Sequence, residues 1–139
     1  MGVDYTSAML ARAREQVERR GWENVELIQD DATQIDLGRT FAAALCTLAI
    51  SVIPNDRLAL DRMVMHVKAG GWLAIADARR SSRWYGRPLN WLADALGYGA
   101  AADTTRKPWE LMQNLVTDFH CRDWAWRFFY VAAGRVPNI

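Results

Sequence analysis

The sequence predicts an α/β layered domain, and three observations carry that expectation. Helix-period stretches alternate with short apolar runs. Two of those runs are apolar almost throughout, as parallel strands packed between helices are. The length, 139 residues with 51% hydrophobic and 24% charged side chains, suits one folded core and no more. Alternation of strand, helix and strand then implies right-handed crossovers between parallel strands.

The elements follow in order. Residues 1–4 read as a short strand, and Thr6 or Ser7 offers an N-cap hydroxyl for a helix ending near Arg20. Met9, Leu10, Ala13 and Val17 form its apolar stripe, Glu15 and Arg19 stand one turn apart, and Gly21 supplies the C-terminal residue. Residues 25–29 are a strand that runs into the carboxylates Asp30 and Asp31. Residues 41–50 form a buried strand closed by Pro54 and Asn55. A helix over 56–68 places Leu60, Met63, Val64 and Val67 on one face, and Gly70 and Gly71 are expected to end it. Residues 72–76 form a third buried strand, ending at Asp77.

Beyond Asp77 the texture changes. Arg79, Arg80, Arg83 and Arg87 interleave with Trp84, Tyr85 and Trp91, and Pro88 and Pro108 are each placed to begin a short helix. Residues 119–122 and 127–134 read as an antiparallel hairpin. The single domain therefore divides into an α/β half, residues 1–78, and a half of loops, helices and hairpin, residues 79–139. Charge divides there too: 8 basic and 11 acidic residues in the first half, 9 and 5 in the second.

Several functional classes are disfavoured. A net charge of +1 offers no electrostatic footprint for nucleic acid. Cys46 and Cys121 lie far apart and lack the spacing of a zinc site or redox pair, which suits a reducing cytoplasm and predicts no metal. No apolar run reaches the roughly 18 residues of a membrane span, and no basic start with an apolar core suggests a signal peptide. A soluble cytoplasmic protein is the expectation.

In fixed order, several stretches resemble a class I S-adenosylmethionine-dependent methyltransferase, most closely the small-molecule methylases of quinone biosynthesis and phospholipid methylation. Gly2, Val3, Asp4 and Tyr5, followed by Ser7, Met9, Leu10 and Ala13, resemble the family's second strand and its helix. Asp30, Asp31 and Ala32 resemble its third acidic motif, and residues 41–54 its fourth strand. Residues 67–73 resemble the turn into the fifth strand, and residues 128–135 the last antiparallel strand. The implied fold is a truncated Rossmann-like methyltransferase sheet of parallel strands with a C-terminal antiparallel hairpin. The implied cofactor is S-adenosylmethionine.

The resemblance also implies site residues. Asp4, at a strand end, would accept hydrogen bonds from both ribose hydroxyls, as acids do in dinucleotide folds. Asp31 would accept from the adenine amino group, the Ala32 N–H would reach a ring nitrogen, and Tyr5 would pack on the adenine. Cys46, Thr47 and Leu48 would line the site. Asp77 is the best candidate for a substrate contact, with Arg80 and Trp84 in the basic and aromatic region after it. No catalytic base is identifiable, since His66 and His120 fall within regular elements, where a histidine is more often structural. The bland alternative for each carboxylate is a loop or cap residue, and only their joint order favours binding.

The family's glycine-rich turn lies some 20 residues before the ribose-binding acid. Asp4 has three residues before it. The family's central first strand is thus expected to be missing, leaving a gap to be completed by another copy or a partner chain. Phe41 and Ala42 also depart from relatives that place an aspartate after the aromatic residue. The mixture over 79–91 suits either a packed substrate lid, the weightier option, or a peripheral membrane contact. Three functions follow: methyl transfer to a small or lipid-like acceptor, a non-catalytic methyltransferase remnant serving as a subunit, and, weakest, a nicotinamide-dependent oxidoreductase.

Overall fold

The computed structural model describes residues 1–79, 88, 91, 103, 105–125 and 128–138. In chain order these form β1 (Gly2–Asp4), α1 (Ser7–Arg20), β2 (Leu27–Gln29), β3 (Phe41–Thr47), α2 (Asp56–Met65), β4 (Val67–Ala78), α3 (Pro108–Gln113), β5 (Thr117–Trp124) and β6 (Phe129–Arg135). The strands make two sheets. β1 and β2 pair in parallel, and β3, β4, β6 and β5 form the second sheet in that order, parallel between β3 and β4 and antiparallel beyond. The architecture is the expected α/β one, with its sheet interrupted between β1 and β3.

α1 ends as its sequence implies. Gly21 takes the left-handed conformation at φ 62°, and its N–H and that of Trp22 reach the Glu18 and Val17 carbonyls. Its start differs from expectation, because Thr6 is the N-cap but its hydroxyl caps nothing. The Asp4 carboxylate instead accepts the Thr6 N–H at 2.7 Å, so the acid that ends β1 shapes the turn into the helix.

The largest departure concerns Gly70 and Gly71. α2 stops at Met65, and both glycines lie inside β4, which starts at Val67 and not at Trp72. Phe41 pairs with Val67 but Ala43 pairs with Trp72, so residues 68–71 form a bulge. Gly70 sits at φ 72°, and a Cβ on Gly71 would lie 2.7 Å from the Ala42 carbonyl oxygen. Across the bulge the Gly70 N–H donates to the Val136 carbonyl and the Val136 N–H to the Gly71 carbonyl, both at 2.9 Å. These long-range bonds satisfy the glycine backbone in a strand, where local sequence suggested a helix stop.

Buried side chains lie on one face of the larger sheet. Leu73, Ile75, Tyr130 and Ala132 pack there against Ile50, Ala59 and Leu60 around α2 and Met112 of α3. The opposite face carries exposed apolar groups: Leu45 at 66%, Val131 at 48% and Trp72 at 40%. β3 was expected to be covered on both faces, and among the described residues it is covered on one. Trp109 packs edge-on to Tyr130 at 4.6 Å, whereas Trp124 is exposed and Trp126 lies outside the described residues. No described helix is long and apolar enough to cross a membrane.

Candidate functional site

The parallel strands bring their C-terminal ends to one side of the molecule, which is where open α/β sheets bind ligands. One backbone bond sets the first part of the site. The Asp30 N–H donates to the Asp4 carbonyl at 3.2 Å, so the acid ending β1 and the acidic pair following β2 are neighbours although 26 positions separate them.

Asp4 uses Oδ1 for the Thr6 N–H, and its Oδ2 accepts no hydrogen bond among the described residues. Beside it the Tyr5 side chain is 75% exposed, while its carbonyl accepts from Gln29 Nε2 at 3.1 Å. Asp31 is more engaged. Its Oδ1 accepts both the N–H and the hydroxyl of Thr33, at 2.8 and 2.7 Å, and Oδ2 takes a longer bond of 3.4 Å from Gln34. The Thr33 N–H, then its hydroxyl, hold this carboxyl below its ordinary pKa, so it is an anion at neutral pH. The Ala32 N–H donates to no described residue.

The second part of the site is the end of β3. Leu48 adopts φ 50°, uncommon without glycine, and donates its N–H to the Ala76 carbonyl at 2.8 Å. Thr47 and Leu48 are exposed, and Cys46 is half-buried. Burial, and then the charge of Asp77, push the Cys46 thiol up to about 11, so it stays protonated.

Asp77 is 2% exposed on the core side of β4. Its carboxylate accepts the Ser51 N–H at 2.9 Å, the Ser51 hydroxyl at 3.0 Å and the Ala78 N–H at 2.7 Å. No cation pairs with it among the described residues. Its alternative reading as a cap is therefore realised on the loop after β3 as well as on the loop after β4. Tyr130, opposite Asp77 on β6, has a buried hydroxyl without a hydrogen-bond partner among the described residues, and its pKa is raised by burial and then by the Asp77 charge. Arg80 and Trp84 lie outside the described residues.

Sequence reasoning missed Ser51 and Arg106. The Arg106 guanidinium donates to the Ser51, Ile53 and Pro54 carbonyls at 2.7, 2.8 and 3.2 Å and approaches Asp56 at 3.5 Å, bracing the loop that holds Asp77. Only the change from apolar strand to Ser51 and Pro54 hinted at a shaped loop there. His66 is structural: Nδ1 donates to the Arg62 carbonyl at 2.7 Å and Nε2 accepts the Leu37 N–H at 2.9 Å. That pattern selects the tautomer protonated at Nδ1.

A family model described as a methyltransferase domain matches residues 1–71, half of the chain. The chain belongs to the class I S-adenosylmethionine-dependent methyltransferase family. A phosphatidylethanolamine N-methyltransferase of Cereibacter sphaeroides is 37% identical over 78 residues, 55% of this chain and 38% of that protein, so the chain spans well under half the length of this relative. The fold resembles N-methyltransferase NodS from Bradyrhizobium japonicum WM9, with TM-score 0.68, 17% identity, and coverage of 98% of this chain and 72% of that one. NodS is also known in complex with S-adenosylhomocysteine. A methyltransferase from Thermotoga maritima aligns with TM-score 0.74, 20% identity, and coverage of 96% and 71%.

The donor set fits the nucleoside half of the family's cofactor, S-adenosylmethionine. A ribose diol asks for an acceptor such as Asp4 Oδ2, and an adenine edge asks for one acceptor and one donor, as Asp31 Oδ2 and the Ala32 N–H supply. The exposed Tyr5 ring offers a stacking face.

Proposed function

We propose that this methyltransferase-family chain binds the nucleoside of S-adenosylmethionine at Asp4, Tyr5, Asp31 and Ala32 and serves methyl transfer to an amine, small or lipid-like. The observation that carries the cofactor part is the Asp30 N–H bond to the Asp4 carbonyl, which gathers the two acidic motifs at adjacent strand ends. When bound, the cofactor supplies an electrophilic methyl group. This chain's residues orient and exclude water, tasks that account for much of a displacement reaction's acceleration.

Asp77 supports an amine as acceptor. Its carboxylate is buried, is held by hydrogen bonds and has no cationic partner among the described residues, and an ammonium group arriving near it offsets the cost of burying that charge. The phosphatidylethanolamine N-methyltransferase among the relatives, whose name specifies an amine-bearing lipid, points the same way.

Calorimetric titration with S-adenosylhomocysteine tests the cofactor assignment. Micromolar binding that weakens at least tenfold in both Asp4→Ala and Asp31→Ala supports it, and unchanged affinity in both variants overturns it. Transfer of labelled methyl to phosphatidylethanolamine vesicles, compared with ethanolamine, then separates a lipid acceptor from a small one. A second reading, a subunit without catalytic activity of its own, is favoured by the interrupted sheet; cofactor binding without transfer to either acceptor would select it.

A further inference from the structure

His66 closes α2, leads into β4 and is 8% exposed. Both of its ring nitrogens are engaged: Nδ1 lies 2.7 Å from the Arg62 carbonyl oxygen and Nε2 lies 2.9 Å from the Leu37 nitrogen. A carbonyl only accepts and a backbone N–H only donates, so this pair of bonds exists for the neutral ring alone. An imidazolium carries a proton on each nitrogen, and at Nε2 that proton meets the Leu37 N–H, donor against donor. One of the two bonds must then go. The Arg62 carbonyl remains a good acceptor, because it belongs to the last turn of α2, where the helix end favours a cation. The Leu37 bond is the one that breaks.

A replacement acceptor stands beside it. Asp36 Oδ1 lies 3.8 Å from Nε2, beyond hydrogen-bond length but within a small movement of ring or loop. That carboxylate is exposed, and it shapes the turn by accepting the Gly38 N–H at 3.0 Å, with Gly38 at φ 60°. Asp36, Gly38, Arg39, Thr40 and Met65 line an open pocket together with His66, which leaves room for the carboxylate and the ring to approach. The charged groups on the elements around the ring are Asp36 and Arg39 in this loop, Arg62 in α2 and Lys68 in β4, while β3 has no charged side chain. One anion thus faces three cations, of which Arg39 is already paired with Glu26.

We propose that His66 is a pH-sensitive latch on residues 36–40. Neutral, it holds the loop through the Leu37 N–H. Protonated from solvent, it donates from Nε2 to the Asp36 carboxylate and releases the Leu37 N–H to water. The loop continues the turn at Asp31, whose carbonyl accepts the Gln34 and Ile35 N–H groups at 2.9 Å, and it carries Arg39, which pairs with Glu26 just before β2. The latch therefore stands at the joint between the two sheets, next to the segment that presents Asp31. It goes beyond the cofactor reading and does not depend on it.

The test is a titration of the isotopically labelled full chain from about pH 8 to about pH 5, the interval in which histidine changes charge, with NMR at the His66 ring nitrogens and the Leu37 amide. As His66 takes up its proton, the Leu37 amide proton is expected to move upfield with the same midpoint. Its protection, corrected for the intrinsic pH dependence of exchange, is expected to fall at least tenfold. Asp36→Asn keeps an oxygen for the Gly38 N–H but removes the charge, and is expected to delay both changes to lower pH. His120→Asn removes the other histidine, exposed on β5, and is expected to change nothing. A Leu37 amide that stays fixed while His66 titrates, or a ring that remains neutral down to about pH 5, would overturn the proposal. So would an Asp36→Asn profile identical to the parent's, or loss of the Leu37 transition in His120→Asn.

Discussion

Asp77 accepts both the backbone N–H and the side-chain hydroxyl of Ser51, at 2.9 and 3.0 Å, across 26 positions of sequence. The pair ties the end of β4 to the loop after β3 at the side of the sheet where the strand ends converge. Both residues are buried, so each leaves the other unsatisfied when removed. Asp77→Ala is therefore expected to destabilise the chain by about 1–3 kcal/mol, and Ser51→Ala by less, because the Ser51 N–H remains. Urea denaturation of the two variants measures this, and equal midpoints for Asp77→Ala and the parent would contradict it.

Gly71 packs against backbone. Replacing it with alanine places a Cβ 2.7 Å from the Ala42 carbonyl oxygen and 2.8 Å from that of Lys68, neither of which is the end of a flexible side chain. The expected cost is about 1–3 kcal/mol, read as a lower urea midpoint with an unchanged slope.

Asp31 gives a pH signature with a definite sign. Its folded pKa lies below the ordinary 3.8, chiefly through the Thr33 N–H and then the Thr33 hydroxyl. Its contribution to stability is present above the unfolded value and is lost as pH falls through the depressed folded value. Thr33→Ala removes only the hydroxyl's share, so the Asp31 titration, followed by carboxyl-carbon NMR, is expected to move part of the way back up. The stability difference between parent and variant is expected to shrink on acidification.

Cys46 should be a slow nucleophile. With its thiol pushed from 9.0 up to about 11, its thiolate fraction at pH 8 is about a hundredfold below that of a cysteine at the reference value. Alkylation by iodoacetamide under native conditions, followed by mass spectrometry, is expected to lag a model thiol by that order. Because the folded state holds this proton more tightly, stability is also expected to decline as pH rises from about 9 to about 11.

The way these features were legible in the sequence differs from residue to residue. The stripe of Leu10 and Val17 with Gly21 behind it predicted α1 to its last residue, since helix periodicity and a left-handed cap are local. The bulge at Gly70 and Gly71 resembles a helix stop in local sequence, because the bonds that make it strand come from Val136, 65 or more positions away. Asp4 and Asp31 were visible as acids at strand ends, but which oxygens are engaged by Thr6 and Thr33 is set by loop geometry. Ser51 and Arg106 were invisible, for a serine after an apolar run and an arginine before a proline-started helix are ordinary surface residues until a fold brings them together.

By itself the sequence determined the element order, the parallel character of the first half and the membership of the methyltransferase family, because hydrophobic period, turn residues and motif order are properties of consecutive residues. Only the tertiary structure decided that, among the described residues, β3 is covered on one face and paired at one edge and Asp77 is buried without a cation, and that Asp4 stands beside Asp30. Those outcomes depend on which distant backbone and side-chain groups satisfy one another, a balance of burial and hydrogen bonding that no local window contains.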